Sequence, residues 1–241
     1  MDWTLIYLVA TLLILPTLIY GVIAQSKTHH VFHKYSNYFS SKGVTASQLA
    51  QALLNQAGIT NVRIKEIEGD LTDCYDPHEK IVNLSSSTYN STSLSALGVC
   101  AHEVGHAIQD AKGSFLFKLR STLVPVVNFI SGAFLPLIII GSLINYAFYI
   151  PMVGYYICLA SVISYGASLV FQLVTLPLER DASRKALNLL KQTNAFSETE
   201  IKQSKQVLDA AIHTYIASML TTLVYFLRFL SFIMMFTRDR D

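Results

Sequence analysis

Two imidazoles and a carboxylate fall together in the run Ala101-His102-Glu103-Val104-Gly105-His106. On a helix of about 3.6 residues per turn, positions four apart are separated by about 40° around the axis, so His102 and His106 can present ring nitrogens to one ion. Glu103 sits beside them, placed to take a proton from a water molecule without being a ligand itself. Zinc suits such a pair, because it polarises a carbonyl and lowers the pKa of a bound water to about 7. The chemistry expected is zinc-dependent hydrolysis of a peptide bond through a water activated by Glu103. By chance, an H-E-x-x-H in a chain of this size arises on the order of once in a hundred. The apolar run LSALGVCA leads into it, giving the motif the helical setting it requires.

Catalytic zinc sites have three protein ligands and one open position. A third histidine in the pattern H-E-x-x-H-x-x-G-x-x-H is absent, since position 109 is Gln and position 112 is Lys. A distant ligand is therefore expected, and Glu179 in Leu176-Pro177-Leu178-Glu179-Arg180-Asp181-Ala182-Ser183-Arg184 is the strongest candidate. Two apolar stretches separate it from His106, which returns both residues to the same side of a membrane. Glu198 and Glu200 share that side in a polar segment read as exposed. Glu179 is read as beginning a helix, where a carboxylate could instead simply complement the helix dipole.

These residues must be held by a chain with an unusual balance. Of its 241 residues, 52% are hydrophobic and 14% charged, where soluble domains carry about 25% charge. Apolar stretches of about 18 residues or more are read as membrane spans, and four occur: Trp3 to Ala24, Leu123 to Phe148, Met152 to Leu176 and Ala211 to Phe236. No Lys or Arg precedes the first, and it is too long for a signal core, so it is read as a retained anchor. The second and third form a hairpin through an uncharged turn, Tyr149-Ile150-Pro151. Arg228 interrupts the fourth, which leaves a tilted or interfacial helix as an alternative to a simple span.

Between the spans, Thr45 to Gly58 has helical periodicity with an N-terminal cap and a terminating glycine. Val62 to Ile67 alternates like a strand, Tyr75-Asp76-Pro77 reads as a turn, and Lys80-Ile81-Val82-Asn83-Leu84 reads as a second strand. Ser91 or Ser93 then caps a helix running to about Asp110. The expected organisation is a transmembrane helix over 1–24, a small α+β domain with the HEVGH helix over 25–120, a transmembrane hairpin over 121–177, a third-ligand helix and connector over 178–210, and a last transmembrane helix and tail over 211–241. The fold class is thus integral membrane and mainly α. Three cysteines, Cys74, Cys100 and Cys158, show no C-x-x-C spacing, which argues against a disulfide framework or a thiolate zinc site. A net charge of +2 without a basic stripe excludes nucleic acid as a partner.

Several stretches carry a further resemblance: Cys74-Tyr75-Asp76-Pro77 with Val82-Asn83-Leu84-Ser85, then Ser95-Ala96 through HEVGHAIQD, and LPLERDASRKAL. In these, and in the order of its spans, the chain resembles the YugP-type membrane zinc metallopeptidases (neutral zinc metallopeptidase family 2). The resemblance covers nearly the whole chain. It implies a zincin-like catalytic domain, one zinc ion per chain, peptidase activity on peptide or protein substrates, with membrane proteins a candidate class, and Glu179 as third ligand. Related membrane peptidases with an E-x-x-A-D motif carry an Asp four residues after the ligand Glu. Here that position is Ser183, while Asp181 lies two after it, so both stand as candidates to support a ligand.

Other residues have weaker claims. His78 or Tyr75 could hydrogen-bond a developing oxyanion. The strand Lys80 to Leu84 could pair with an extended substrate if it lies at a sheet edge, or be an interior strand. His29, His30 and His33 read as an interfacial polar segment rather than a metal site. A metal-binding or metal-transporting membrane protein would need the histidines but not Glu103, and the apolar cores lack the carboxylates of an ion path. A structural protein with an inactive site would not need the motif intact.

Charge sets the expected orientation. Near the span ends, Lys27, Lys34, Lys42, Lys112, Lys118, Arg120, Arg180, Arg184, Lys185, Lys191, Lys202 and Lys205 lie on the zinc side, against Arg238 and Arg240 on the other. The positive-inside rule then puts the site in the cytoplasm and both termini outside. In a background lacking the native cysteines, Tyr149→Cys and a cysteine at the N-terminus should react with an impermeant reagent in intact cells. Ser41→Cys and Asn194→Cys should not, and labelling at Ser41→Cys would invert this topology.

Overall fold

Backbone amides without water must bond within their own segment, and the apolar stretches of this chain are accordingly helical. The computed structural model describes residues 2–148 and 151–238. Its elements are α1 (Trp3–Ser36), α2 (Ala46–Gln56), β1 (Arg63–Ile67), β2 (Cys74–Asp76), β3 (Ile81–Ser85), α3 (Ser86–Tyr89), α4 (Leu94–Ala111), α5 (Phe115–Tyr146), α6 (Pro151–Gln192) and α7 (Glu198–Arg238). Among the described residues, α1, α5, α6 and α7 are long and apolar enough to cross a membrane. Three of them continue well past the apolar stretches read from the sequence. Neither QSKTHHVFHKYS after Ala24 nor ETEIKQSKQVLD before Ala211 contains a Gly or Pro to stop a helix.

The chain divides into two compact units, one of residues 1–23, 119–175 and 215–241, the other of 24–118 and 176–214. In the first, α1 exposes Leu5, Leu8, Leu12, Leu15 and Val22, a surface suited to lipid rather than water. Glycines allow close helix contact in the hairpin: a Cβ at Gly154 would lie 2.6 Å from the Gly141 carbonyl oxygen. Phe134, Tyr165 and Phe229 cluster, with the Phe134 ring 4.8 Å from each of the other two. Arg228 is accommodated within α7. It donates to the Thr11 hydroxyl at 3.3 Å and the Tyr7 hydroxyl at 3.4 Å, and its guanidinium lies 5.4 Å from the Tyr7 ring centre. The charge thus finds polar and aromatic partners on α1 without interrupting its own helix. Of the turn expected at Tyr149 to Pro151, residues 149 and 150 lie outside the described residues.

The second unit is built on α2, α4 and a three-stranded sheet of order β1-β3-β2, with β1 parallel and β2 antiparallel to β3. Thr45 and Gln48 form a capping box at the start of α2, and Gly58 takes φ +71° beyond its end. Ser93 caps α4 by accepting from the Ala96 amide. Leu53, Leu54, Val82, Leu84, Leu97, Cys100 and Val104 form the core of this unit.

One expectation is corrected here, and one choice left open by the sequence is decided. Cys74 to Asp76 is a strand, and the turn follows it, closed by Asp76 accepting from the amides of His78 and Glu79. The segment Ile81–Asn83 is flanked by β1 on one side and β2 on the other, so it has no free edge for a substrate backbone.

The glycine contact in the hairpin yields a stability test. Gly154→Ala should lower the midpoint of thermal unfolding in detergent, since overpacking costs about 1–3 kcal/mol. Gly132, where a Cβ would meet nothing within 4 Å, should tolerate Ala with no loss. Equal melting of the two variants would show that the contact does not constrain the hairpin.

Candidate metal centre

Helix α4 turns Ala101, Val104, Ala107 and Ile108 into the core. The positions between them put His102 and His106 together, with ring centres 4.7 Å apart. Glu179 comes from α6, and its side chain is 1% exposed. Its Oε2 lies 3.1 Å from His102 Nε2 and 3.4 Å from His106 Nε2. One potential ligand atom from each residue lies within 4.8 Å of the others. Among the described residues, no other cluster of three His, Cys, Asp or Glu side chains is so arranged.

Glu179 was expected at a helix start, but α6 runs unbroken from Pro151 to Gln192 with Pro177 inside it. Pro177 removes one backbone hydrogen bond, which a long helix can tolerate. The dipole at a helix N-terminus therefore plays no part at Glu179. Close approach of α4 and α6 depends on Gly105, where a Cβ would sit 2.7 Å from the Ala182 carbonyl oxygen.

The outer nitrogens of both rings are engaged. Gln109 Nε2 lies 3.0 Å from the Leu178 carbonyl oxygen and 2.7 Å from Asp181 Oδ2. Both are acceptors, which assigns the amide nitrogen to that side and leaves Oε1 facing His106 Nδ1 at 2.9 Å. His106 Nδ1 must then carry a proton, so a ring that binds an ion presents its Nε2 lone pair to it. His102 Nδ1 lies 3.2 Å from the Ser183 hydroxyl. Asp181 also pairs with Lys185. Two imidazole nitrogens and a carboxylate oxygen, converging with their outer nitrogens held, fit a zinc ion.

Electrostatics separate the two buried carboxylates. Burial alone would raise the Glu179 carboxyl, but hydrogen bonds and charge from His102 and His106 outweigh it and hold the group well below its ordinary range. Glu103, also buried, is pushed up to about 7, first by burial and then by the charges of Glu179 and Asp73, against the lowering effect of His102 and the Tyr75 amide. A divalent cation would draw Glu103 back down.

The remaining candidates lie apart from these ligands or are otherwise occupied. The Tyr75 hydroxyl donates to Asp110 Oδ2 at 2.7 Å, and its ring packs 6.1 Å from Phe117, which in turn lies 6.1 Å from the His106 ring. His78 is exposed in the turn after β2. His29, His30 and His33 are exposed along α1. Glu198 is exposed, whereas Glu200 is buried, accepting from the Ser41 and Ser197 amides and capping α7. Sequence reasoning missed Gln109, noted only as a position lacking a histidine. Its signal was the spacing of three from His106, which puts both on one helix face.

Comparison with known proteins agrees with the zinc reading. The family described as "Putative neutral zinc metallopeptidase" matches residues 10–234. A relative from Bacillus subtilis (strain 168), named "Putative membrane protease YugP", is 36% identical over 218 residues, covering 90% of this chain and 92% of that protein. No solved structure matches. A match over nearly its whole length establishes that the chain belongs to the family described as "Putative neutral zinc metallopeptidase".

Proposed function

We propose that the chain is a membrane-embedded, zinc-dependent endopeptidase, in which His102, His106 and Glu179 hold one zinc ion and Glu103 is the general base. The observation that carries this reading is the convergence of three ligand atoms within 4.8 Å, with the Glu103 carboxyl buried next to His102 in sequence. When bound, zinc supplies the Lewis acid that polarises the scissile carbonyl and acidifies water. Glu103 takes the proton of the attacking water and returns it to the leaving amine. The burial that raises its pKa makes it a stronger base than an exposed glutamate. The unit of residues 24–118 and 176–214 is read as the zincin-like catalytic domain, because its α4 and small sheet form one core around the motif. The basic residues near the span ends support a cytoplasmic site, with peptides or protein segments near the membrane as substrates.

The role of Glu103 is tested by Glu103→Gln, which keeps the shape but cannot accept the proton. Zinc should remain bound at one per chain, and cleavage of an unstructured test protein should fall at least about 10²-fold. Retained cleavage by contaminant-free protein would remove Glu103 from the mechanism.

The third ligand is tested by contrast. Glu179→Ala should lose zinc and activity together, because two imidazoles alone hold the ion far less tightly. Glu200→Ala should keep zinc while melting earlier, since its removal costs a cap worth about 1 kcal/mol. Full zinc occupancy in Glu179→Ala protein would place the third ligand elsewhere.

A further inference from the structure

His102 and His106 are supported by chemically different arms, Ser183 of α6 for the first and Gln109 of α4, backed by Asp181 of α6, for the second. On His102 the partner is a neutral hydroxyl, Ser183 Oγ, 3.2 Å from Nδ1. On His106 it is the Gln109 amide, whose nitrogen reaches Asp181 Oδ2 at 2.7 Å, and Asp181 pairs in turn with Lys185. Gln109 is 0% exposed, and every hydrogen-bonding atom of its amide has a place in this chain of contacts. An acceptor on the amide N–H draws charge through the group and makes its carbonyl oxygen a better acceptor, and hydrogen bonds in series strengthen one another in this way. The benefit arrives at His106 as a more basic Nε2 and a fixed ring orientation. The amide also keeps the Asp181 charge one group away from a site that already holds the carboxyls of Glu179 and Glu103, where direct contact would add like-charge repulsion.

We propose that Gln109 and Asp181 act as one positioning unit, through which Asp181 sets how tightly His106 holds the metal, independently of the Ser183 arm on His102. This rests on the metal site of the proposed function. It makes a demand that mere tying of α4 to α6 would not. A tie needs only the bond from Gln109 to the Leu178 carbonyl, and leaves Asp181 without influence on the metal.

The test is a double-mutant cycle read as Zn2+ affinity of the full chain in detergent, by competition with a chromogenic chelator, beside thermal melting of the metal-free protein. Asp181→Ala should weaken zinc about 10-fold and Gln109→Met between about 10- and 100-fold, as such supporting contacts do in other metal sites. The double variant should be no weaker than Gln109→Met alone, because Asp181 acts only through the amide. Asp181→Ala combined with Ser183→Ala should instead multiply the two losses, since they act on different ligands. If Gln109→Met does not fold, Gln109→Leu serves in its place: it removes the contacts to both His106 and Asp181 without adding a charge, so Asp181→Ala should cause no further loss in that background. Unchanged zinc affinity in Asp181→Ala, or a multiplied loss on adding it to a position-109 variant, overturns the proposal. So does a loss matched by equal destabilisation of the metal-free protein. Zinc affinity does not depend on peptide cleavage, so a failure here leaves the general-base role of Glu103 to its own test.

Discussion

A carboxylate as deeply buried as Glu179 stays ionised only if positive charge or hydrogen-bond donors replace the water it has lost. Its side chain is 1% exposed, and the Nε2 atoms of His102 and His106 lie against its Oε2. This single requirement fixes where α6 must pass relative to α4. Two ring nitrogens and a carboxylate oxygen that turn lone pairs toward one point repel one another unless a proton or a cation lies between them. On the proposed reading, zinc is therefore part of what makes the core of this unit stable, and not only a reagent.

That approach dictates residue size. Gly105 lies between the two histidines on α4, and any side chain there would strike the Ala182 carbonyl. On α6 the buried positions 178, 179, 182, 183 and 186 recur at helical spacing. The face they form carries Leu178 for packing, Glu179 for the centre, Ser183 for His102, and alanines wherever backbone must come close. Asp181 lies off that face and is partly exposed, which explains why it meets His106 through the longer Gln109 side chain rather than directly. One helix face thus serves packing, charge and ligand orientation together.

Much of this was legible in the sequence, for reasons of differing strength. The HEVGH spacing is a local geometric fact about a helix, so His102, Glu103 and His106 could be read at once. Glu179 needed an argument from missing alternatives and the parity of the spans, and the structure brings it to the histidines. What failed was long-range or misleading locally. Leu-Pro-Leu-Glu-Arg-Asp looks like a helix start because Pro and acidic residues favour first turns, yet the helix continues through Pro177. Whether β3 is an edge or a central strand stayed open, because that depends on its partners, which a single strand does not encode. Glu200 looked exposed because its neighbours are polar, but capping Ser197 and the loop at Ser41 buries it. Gln109 was passed over because the question asked of that position was whether it was a ligand.

The two carboxyls at the centre show how one small volume can hold opposite protonation behaviour. Glu179 and Glu103 are both buried, so burial alone would raise both. They diverge because the imidazoles hydrogen-bond Glu179 directly, whereas Glu103 receives mainly desolvation and the negative charge of its neighbours. The outcome separates roles in the way acid–base sites generally do, a permanently ionised group beside one poised to exchange a proton. The ionised group suits a ligand, since a ligand that took up a proton would release its ion. On the proposed reading, the group whose charge is less firmly held suits a carrier that must accept a proton and give it back within one turnover. The coupling also runs from Glu179 to Glu103, because the charge of the first is part of what raises the second. On the proposed reading, replacing Glu179 would thus alter Glu103 even where zinc could still be forced into the site, and ligand and base are not separable by mutation at position 179.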